Sequence, residues 1–314
     1  MVDSLFISSF SEEMMSKKGF CVKLLVFVIL LAGADQLIGG ILKDLYFHQK
    51  GEDYFYTTKT LDMQDSTVLI LGSSRARNHY NPRIIRDSLG MSCYNAGRSG
   101  CFLTYQSAQL DMILDRYKPE VILLEVTPYD MNPGESDYDR LSGLLPYQHH
   151  ASWRKTIEKK SVFEPYKCLS AIYPYNSLLI KMMANLKDRG GFRSDGFQPL
   201  EGCWTGAYGE TNGGAANVVS EQKKQEMIHI VNTCKDNQIR LVMVTSPFYG
   251  KFTSSTTLQT TDSICKANDI PYCSFLNHPA FKDASLFATG DHLNEKGAIM
   301  FSAMIAHWLR KEIQ

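Results

Sequence analysis

The chain has 314 residues, and its 33 lysines and arginines balance 33 aspartates and glutamates, so the formal net charge is zero. A neutral chain lacks the basic footprint of a nucleic-acid-binding protein. Its 44% hydrophobic content is typical of a globular fold rather than a disordered chain. We therefore expect a folded protein without a nucleic-acid partner, long enough for one large α/β domain and additional segments.

An apolar segment near the N-terminus, residues 20–42, is the first strong feature. A helix needs about 20 residues to cross a bilayer, and this segment provides them. Lys17 and Lys18 lie on its N-terminal side, so the positive-inside rule places that end in the cytoplasm. The pattern predicts a cytoplasmic tail over 1–19, a transmembrane anchor over 20–42, and an extracytoplasmic remainder in the periplasm or at the cell surface.

Two alternatives to an uncleaved anchor stay open. Ala32-Gly33-Ala34 resembles a signal-peptidase site after a short apolar region, which would make the segment a cleaved signal. A buried helix of a soluble protein is the other alternative. The apolar residues between Leu37 and Leu42, beyond the alanines, favour the anchor. Met14-Met15 also offers a later start, which would exclude the first thirteen residues from the protein.

The cysteines and histidines give no pattern typical of a metal site. None of the eight cysteines forms a C-x-x-C pair, and seven lie outside the apolar segment, which favours free thiols over a disulfide framework. His149-His150 is the strongest pair of nitrogen ligands, but no carboxylate or thiol cluster surrounds it in the sequence. We therefore predict neither a metal nor a cofactor.

Beyond the apolar segment, residues 43–66 are mixed and rich in aromatics, which predicts a stalk near the membrane interface or a segment packed on the domain. From residue 67 onward, short apolar runs alternate with helical periods. Strands are predicted at 68–71, 92–95, 121–126, 240–245 and, more weakly, 270–275, and helices at 82–89, 104–117, 220–234 and 294–312.

This alternation predicts an α/β fold: a three-layer α/β/α sandwich with a mostly parallel, flavodoxin-like sheet over residues 67–314, preceded by one transmembrane helix. Residues 131–219 interrupt the alternation with aromatics and the pairs Gly190-Gly191 and Gly213-Gly214. We interpret them as an insertion over the rim of a site, because ligands of such sheets bind beyond the carboxyl ends of the strands.

Three loops carry residues suited to nucleophilic catalysis. Gly72-Ser73-Ser74 follows the first strand, and Asn95–Gly100 follows the second, where a glycine N–H can point at an oxyanion. The third, Gly290–Asn294, precedes the last helix and contains Asp291-His292. A serine at a strand end and a loop histidine are the groups from which a nucleophile and its base are built.

Together these loops resemble the three corresponding blocks of the SGNH/GDSL hydrolase superfamily, and the resemblance covers about residues 67–314. It implies that Ser74 is the nucleophile, with Ser73 in place of the usual aspartate, and that His292 is the base. It also implies that the N–H groups of Ser74 and Gly100 bind the oxyanion. The expected activity is a serine-dependent ester hydrolase or O-acyltransferase.

Two positions depart from the superfamily pattern. Thr289 stands three residues before the histidine, where an aspartate is usual, so Asp291, Thr289 or a carbonyl would have to orient His292. Tyr129 aligns with the asparagine that normally donates to the oxyanion, and a missing donor typically costs a factor of about 10²–10³.

The arginines of these loops could compensate for the lost donor or bind substrate. Arg98 or the Tyr129 hydroxyl could replace the oxyanion donor, and both residues, together with Ser73, could line a substrate pocket. Arg75, beside the nucleophile, could line a substrate pocket or pair with a carboxylate and support the loop.

The anchored architecture also resembles the D-alanine transfer proteins of teichoic acid modification and the alginate O-acetylation proteins. Those proteins work beside membrane-bound O-acyltransferases. The resemblance implies an acylated polysaccharide or small ester as substrate, the membrane as a partner, and a membrane O-acyltransferase as a further partner. The alternative is a catalytically degenerate binding or scaffold protein, which the departures at Thr289 and Tyr129 favour.

Overall fold

A computed structural model of the chain describes residues 17–133, 137–185, 193–211 and 218–313. Most of the predicted cytoplasmic tail, including Met14-Met15, lies outside the described residues. Both glycine pairs of the insertion lie outside them as well.

Helices and strands alternate through most of the described chain. The α-helices are α1 (Lys17–Phe47), α2 (Glu52–Thr58), α3 (Ser74–His79), α4 (Pro82–Leu89), α5 (Leu103–Leu114), α6 (Trp153–Glu158), α7 (Glu164–Lys167), α8 (Leu179–Ala184), α9 (Glu221–Asp236), α10 (Thr256–Ala267) and α11 (Glu295–Ile313). The strands are β1 (Val68–Leu71), β2 (Cys93–Asn95), β3 (Val121–Glu125), β4 (Glu210–Thr211), β5 (Arg240–Thr245), β6 (Lys251–Phe252), β7 (Tyr272–Ser274), β8 (Phe287–Thr289) and β9 (His292–Leu293). A π-helical turn (Lys59–Met63) and the 3₁₀ turns Asp137–Leu144, Tyr173–Tyr175, Pro279–Phe281 and Ala284–Leu286 complete the set.

Five parallel strands form the main sheet in the order β2-β1-β3-β5-β7. This is the flavodoxin-like order, in which the direction of strand addition reverses beside β1, and the prediction of an α/β fold with a parallel sheet is confirmed. The carboxyl ends of β1, β2 and β3 therefore meet at one edge of the sheet. Two of the predicted loops follow strands β1 and β2. The third, Gly290–Asn294, contains β9 and reaches the same edge.

Helices cover both faces of the sheet, which gives the three layers. Alternate residues of the strands face opposite sides, and the side chains sort accordingly. Leu69 and Leu124 belong to the core under α5 and α9, whereas Ile70 and Leu123 belong to the core under α4 and α11. Because both faces are covered, all four residues of β1 are completely buried, as expected for a strand of a parallel sheet.

Capping residues set the limits of the helices where the sequence predicted them. Asn81 accepts from the backbone N–H of Arg83 at 3.1 Å at the start of α4, and Gly90 ends that helix with φ +71°. Ser220 caps α9 in the same way. Helix α10 was not predicted, because most of its residues are polar.

Helix α1 is longer than the predicted anchor and continues into the domain. It is long and apolar enough to cross a membrane, with a mean hydropathy of 2.2. Asp35 accepts from the Ser170 hydroxyl at 2.6 Å and from the backbone N–H of Ala171 at 2.7 Å, so the insertion packs directly on this helix. Tyr46, near the end of α1, is buried in the core of the domain.

The segment 43–66 packs as part of the domain. Tyr54 and Leu61 are buried in the same cluster as Leu69 of the sheet. The boundary predicted at residue 66 therefore does not separate two packing units. All eight cysteines lie among the described residues and are free thiols.

Candidate active site

The turn after β1 brings Ser74 to the edge of the sheet. Gly72 has φ +150°, and a Cβ on it would lie 2.7 Å from the Cβ of Ala76 and 2.8 Å from the Cβ of Glu125. Only glycine fits this turn. Ser73 is buried, and its carbonyl accepts from the backbone N–H of Arg77. Ser74 is then the first residue of α3.

The structure brings His292 to Ser74. The histidine lies on the hairpin of β8 and β9, in which Thr289 pairs with His292. Its Nε2 is 2.8 Å from the Ser74 Oγ, although 218 positions separate the two residues. The imidazole is 20% exposed, so the pair lies in a cleft that solvent reaches. A serine hydroxyl at this distance can pass its proton to the imidazole.

Both candidate orienting groups reach the other nitrogen of the imidazole. The Oδ1 of Asp291 lies 3.0 Å from Nδ1 of His292, and the Oγ1 of Thr289 lies 3.1 Å from it. The Thr289 hydroxyl donates to the same Asp291 oxygen at 2.7 Å. The hydrogen bond from His292 holds the pKa of Asp291 far below its usual value, despite partial burial. An ionised Asp291 fixes the proton on Nδ1 and leaves Nε2 free to accept the proton of Ser74.

The loop after β2 is attached to the nucleophile turn. Arg98 donates its backbone N–H to the carbonyl of Gly72 at 2.9 Å. Asn95 donates its side-chain amide to the carbonyl of Ala76 at 2.7 Å and receives the N–H of Gly97 at 2.9 Å. Gly100 adopts the left-handed conformation, with φ +70°. The two loops expected to supply oxyanion donors thus form one connected unit.

Arg75 is buried beneath the site and not presented to solvent. It is 3% exposed, and its Nε lies 3.2 Å from the Oε1 of Glu125. Its Nη2 donates to the Oγ of Ser246 at 2.8 Å, and the guanidinium lies 3.9 Å from the ring centre of Phe248. Its Nη1 is buried without a hydrogen-bond partner. Arg75 therefore supports the loop through Glu125 and retains one uncommitted donor.

A buried chain of hydrogen bonds connects this arginine network to the histidine hairpin. His79 lies 2.8 Å from the Ser246 Oγ through Nδ1, and Ser246 donates to Glu125 at 2.7 Å. The Nε2 of His79 accepts the backbone N–H of Leu293 at 3.0 Å. Burial lowers the pKa of His79 far below its usual value, so the ring is neutral. Burial also raises the pKa of Glu125, and this effect outweighs the neighbouring charge of Arg75, which lowers it.

The sequence did not predict this chain of hydrogen bonds. Glu125 was visible as the one charged residue in an otherwise apolar strand, and that was the available signal. Burial of a carboxylate needs partners, but nothing in the sequence identifies Ser246 or His79 as those partners. Both ring nitrogens of His79 are hydrogen-bonded, so this histidine has a structural role.

The structure turns Arg98 away from the position predicted for it. Its Nη1 donates to the backbone carbonyl of Asp53 at 2.9 Å and to the hydroxyl of Thr57, both in α2. Asp53 also pairs with Arg77 at 2.6 Å. The side chain of Arg98 thus attaches α2 to the site loop, which corrects its assignment to the substrate pocket. The physical reason is the carboxylate and carbonyl that α2 offers.

Tyr129 lies at the rim, in the turn after β3. Its ring contacts Phe248 edge to face at 5.9 Å between ring centres. Asp130 closes this turn by accepting from the backbone N–H of Thr127 at 2.9 Å and from its hydroxyl. The turn expected to carry the third donor is therefore well formed, with a tyrosine where the superfamily has asparagine.

Aromatic side chains of the insertion and of the loop after β5 surround the histidine hairpin. Trp204 donates its backbone N–H to the carbonyl of Phe287 at 2.7 Å, and its indole ring lies beside Gly290. Tyr249 donates its backbone N–H to the carbonyl of Gly290 at 2.9 Å and packs edge to face on Tyr208 at 5.3 Å. Tyr208 is 44% exposed. These side chains form an aromatic rim immediately before Asp291.

Comparison with known proteins finds structural likenesses, of which two are described here. No protein-family model matches the sequence, and no curated protein matches it either. A protein of Desulfitobacterium hafniense DCB-2, provisionally described as a lipolytic protein of the G-D-S-L family, is 11% identical, with 77% of this chain and 98% of that chain covered and a TM-score of 0.40. A protein of Bacteroides fragilis NCTC 9343, provisionally described as an acylhydrolase, is 10% identical, with 84% and 100% covered and a TM-score of 0.37.

Likeness at this level carries no argument about activity. The strand order β2-β1-β3-β5-β7, the serine turn after β1 and the histidine before α11 agree with the SGNH/GDSL hydrolase fold that the sequence motifs predicted.

Proposed function

We propose that this protein is a serine-dependent ester hydrolase or O-acyltransferase that acts on acylated extracytoplasmic glycan. The observation that carries the proposal is the 2.8 Å contact between the Oγ of Ser74 and the Nε2 of His292, with Nδ1 of the same ring facing Asp291. A nucleophile, its base and a group that orients the base are the parts that acyl transfer requires.

In the first half of the reaction, the Ser74 oxygen attacks the ester carbonyl while its proton passes to Nε2 of His292. The ionised carboxylate of Asp291 stabilises the resulting imidazolium. Collapse of the tetrahedral intermediate breaks the ester bond, and the leaving alcohol takes the proton back from His292. In the second half, His292 activates water or a sugar hydroxyl, which releases the acyl group from Ser74.

The oxyanion of the tetrahedral intermediate needs donors beside Ser74. The backbone N–H groups of Ser74 and Gly100 are the two we assign, since the loops that carry them are joined by the bond between Arg98 and Gly72. The asparagine that would be third is Tyr129 here. The Nη1 of Arg75 is buried without a hydrogen-bond partner, and we propose it as the candidate for the missing donor.

Two features support a glycan substrate outside the membrane. The exposed Tyr208 and the neighbouring Trp204 offer faces on which sugar rings can stack. Asp35, within the predicted anchor 20–42, contacts Ser170 of the insertion, so the part of helix α1 before Asp35 would cross the bilayer and hold the domain at the membrane surface. A tethered enzyme works on polymers or lipid-linked sugars near that surface, and a membrane O-acyltransferase is the partner class that would supply acyl groups.

The test is active-site labelling of the full-length chain purified in detergent. A serine-directed fluorophosphonate should label the wild type and the Ser263→Ala control, whose serine is exposed on α10, but not the Ser74→Ala variant. The wild type and Ser263→Ala should also hydrolyse p-nitrophenyl acetate, whereas Ser74→Ala should not. The full chain is needed because Leu42 and Tyr46 of α1 belong to the core of the domain.

The outcomes separate catalysis from a scaffold role. Labelling at Ser74 with hydrolysis supports the esterase, and transfer of the acyl group to added oligosaccharide would identify a transferase. No labelling and no hydrolysis of any ester, with an intact fold, would contradict the proposal and favour the catalytically degenerate binding protein.

A further inference from the structure

We infer that Asp62, His149 and His150 form a binding site for a divalent transition-metal ion, with Zn²⁺ as the best fit. The sequence analysis predicted no metal, because no carboxylate stands near the histidines in the sequence. The fold supplies one from 87 positions away: the Oδ1 of Asp62 lies 2.9 Å from Nε2 of His149 and 2.9 Å from Nε2 of His150. Among the described residues, this is the one group of three potential ligands within 4.8 Å of one another.

The hydrogen bonds of His150 determine which of its nitrogens carries a proton. Its Nδ1 lies 3.0 Å from the backbone carbonyl of Met112, and 3.8 Å from the Oδ2 of Asp115. Both neighbours are acceptors, so Nδ1 must be the protonated nitrogen. In a neutral ring, the lone pair of Nε2 then points at the Asp62 oxygen.

Two acceptors facing each other at 2.9 Å repel unless a cation or an additional proton lies between them. His150 is nearly buried, with 4% of its side chain exposed, so water cannot screen this repulsion well. A metal ion resolves the conflict, because it accepts the Nε2 lone pair and the carboxylate at once. A backbone carbonyl on the other ring nitrogen is the usual second partner of a metal-bound histidine.

Ligand chemistry favours zinc over calcium or magnesium. Imidazole nitrogen with one carboxylate oxygen suits Zn²⁺, whereas the alkaline-earth ions prefer sites made of oxygen alone. Zinc–ligand bonds of about 2.0–2.2 Å place the ligand atoms roughly 3.3 Å apart, a few tenths of an ångström wider than the Asp62 contacts. His149 is 54% exposed and can turn to complete the site, and water can take a fourth position.

The place of the site in the fold indicates a structural role. Asp62 belongs to the π-helical turn Lys59–Met63 of the segment that follows the membrane helix, and the histidines belong to the insertion. Met112 lies in α5. A bound ion would therefore join the juxtamembrane segment to the insertion and to the main core. None of these residues takes part in the proposed catalytic steps.

The experiment measures metal binding by the full-length chain in detergent, after treatment with a chelator and dialysis against micromolar Zn²⁺. We expect one zinc per chain by elemental analysis, visible d–d bands of tetrahedral Co²⁺ after substitution, and a rise in Tm of ~5–10 °C with zinc near 100 times its dissociation constant. His149→Ala and Asp62→Asn should lose the zinc, the bands and the rise in Tm.

His229→Ala is the matched control. His229 lies 2.8 Å from Asp111 and forms a comparable imidazole–carboxylate pair without a third ligand among the described residues. This variant should keep the zinc. Wild type that binds no zinc and no cobalt would overturn the inference and leave a protonated His150 paired with Asp62. Equal zinc in the wild type, His149→Ala and Asp62→Asn would overturn it as well.

Discussion

The hydrogen bonds at Nδ1 of His292 predict how Asp291 and Thr289 share the orientation of the imidazole. Three variants test this: Asp291→Asn, Thr289→Val and the two combined. Asparagine keeps the shape of the side chain but removes the negative charge that stabilises the imidazolium. Valine keeps the shape of threonine but removes the hydroxyl that donates to Asp291 at 2.7 Å.

The size of each effect follows from exposure and from the number of bonds. Removing the buried aspartate of a serine protease costs about 10⁴ in kcat. Asp291 is 52% exposed, so solvent screens its charge. We therefore expect Asp291→Asn to lower kcat by ~10²-fold, which corresponds to about 2.7 kcal/mol. Thr289→Val removes the hydroxyl that contacts both Asp291 and Nδ1 of His292, and the loss of each of these two hydrogen bonds should lower kcat by roughly 2- to 13-fold.

The double variant decides how Thr289 acts. If the hydroxyl works through Asp291, then Thr289→Val should cost nothing more once the carboxylate is gone, and the double variant should equal Asp291→Asn. Steady-state hydrolysis of p-nitrophenyl acetate gives kcat, and thermal unfolding checks that each fold is intact. An Asp291→Asn enzyme within twofold of the wild type would refute the reasoning. Thr289→Asp should bring no gain, because it places a second carboxylate beside the first.

Three further predictions concern packing and titration. A Cβ on Gly97 would lie 2.5 Å from the backbone N of Arg77, so Gly97→Ala should destabilise the fold by about 1–3 kcal/mol or more in denaturant titration. A Cβ on Gly39 would lie 2.4 Å from the Cβ of Ala171, so Gly39→Leu should separate α1 from the insertion. The insertion should then be cleaved faster in limited proteolysis. Burial raises the pKa of Asp130 to about 7. Between about pH 4 and about pH 7 the folded chain therefore keeps a proton that the unfolded chain has lost, so the free energy of unfolding falls as the pH rises from about 4 to about 7. Asp130→Asn should remove that fall, measured as the difference in Tm between about pH 5 and about pH 8.

The central sheet was predictable because its strands are buried on both faces. Val68–Leu71 and Arg240–Thr245 were predicted with the limits that the structure shows, since a run of apolar residues is what a doubly covered strand requires. Strand β7 of the main sheet is shorter than predicted, Tyr272–Ser274 instead of 270–275, because it lies at the edge of the sheet, where one neighbour is missing. Helix α10 carries too few apolar residues for its period to be visible.

The serine and the histidine of the site could be found from sequence, but their supports could not. Gly72 and Gly100 mark tight turns that only a few residues permit, so their positions along the chain carry information. The partners of Glu125 and Arg98 are chosen by the approach of distant segments. A carboxylate in a buried strand predicts that polar partners lie nearby, but the sequence does not identify them, because several serines and arginines of this protein could form the same hydrogen bonds.

The position of His292 relative to Ser74 depends on helix α3 at both of its ends. Ser74 is the first residue of this six-residue helix and His79 is the last. His79 accepts the N–H of Leu293, directly after His292, and the chain through Ser246 and Glu125 fixes the ring of His79 in turn. Helix α3 thus positions both Ser74 and the hairpin of His292, so a displacement of this helix would move the nucleophile and its base together. This explains how a histidine hairpin without the usual aspartate keeps its imidazole within hydrogen-bonding distance of the serine.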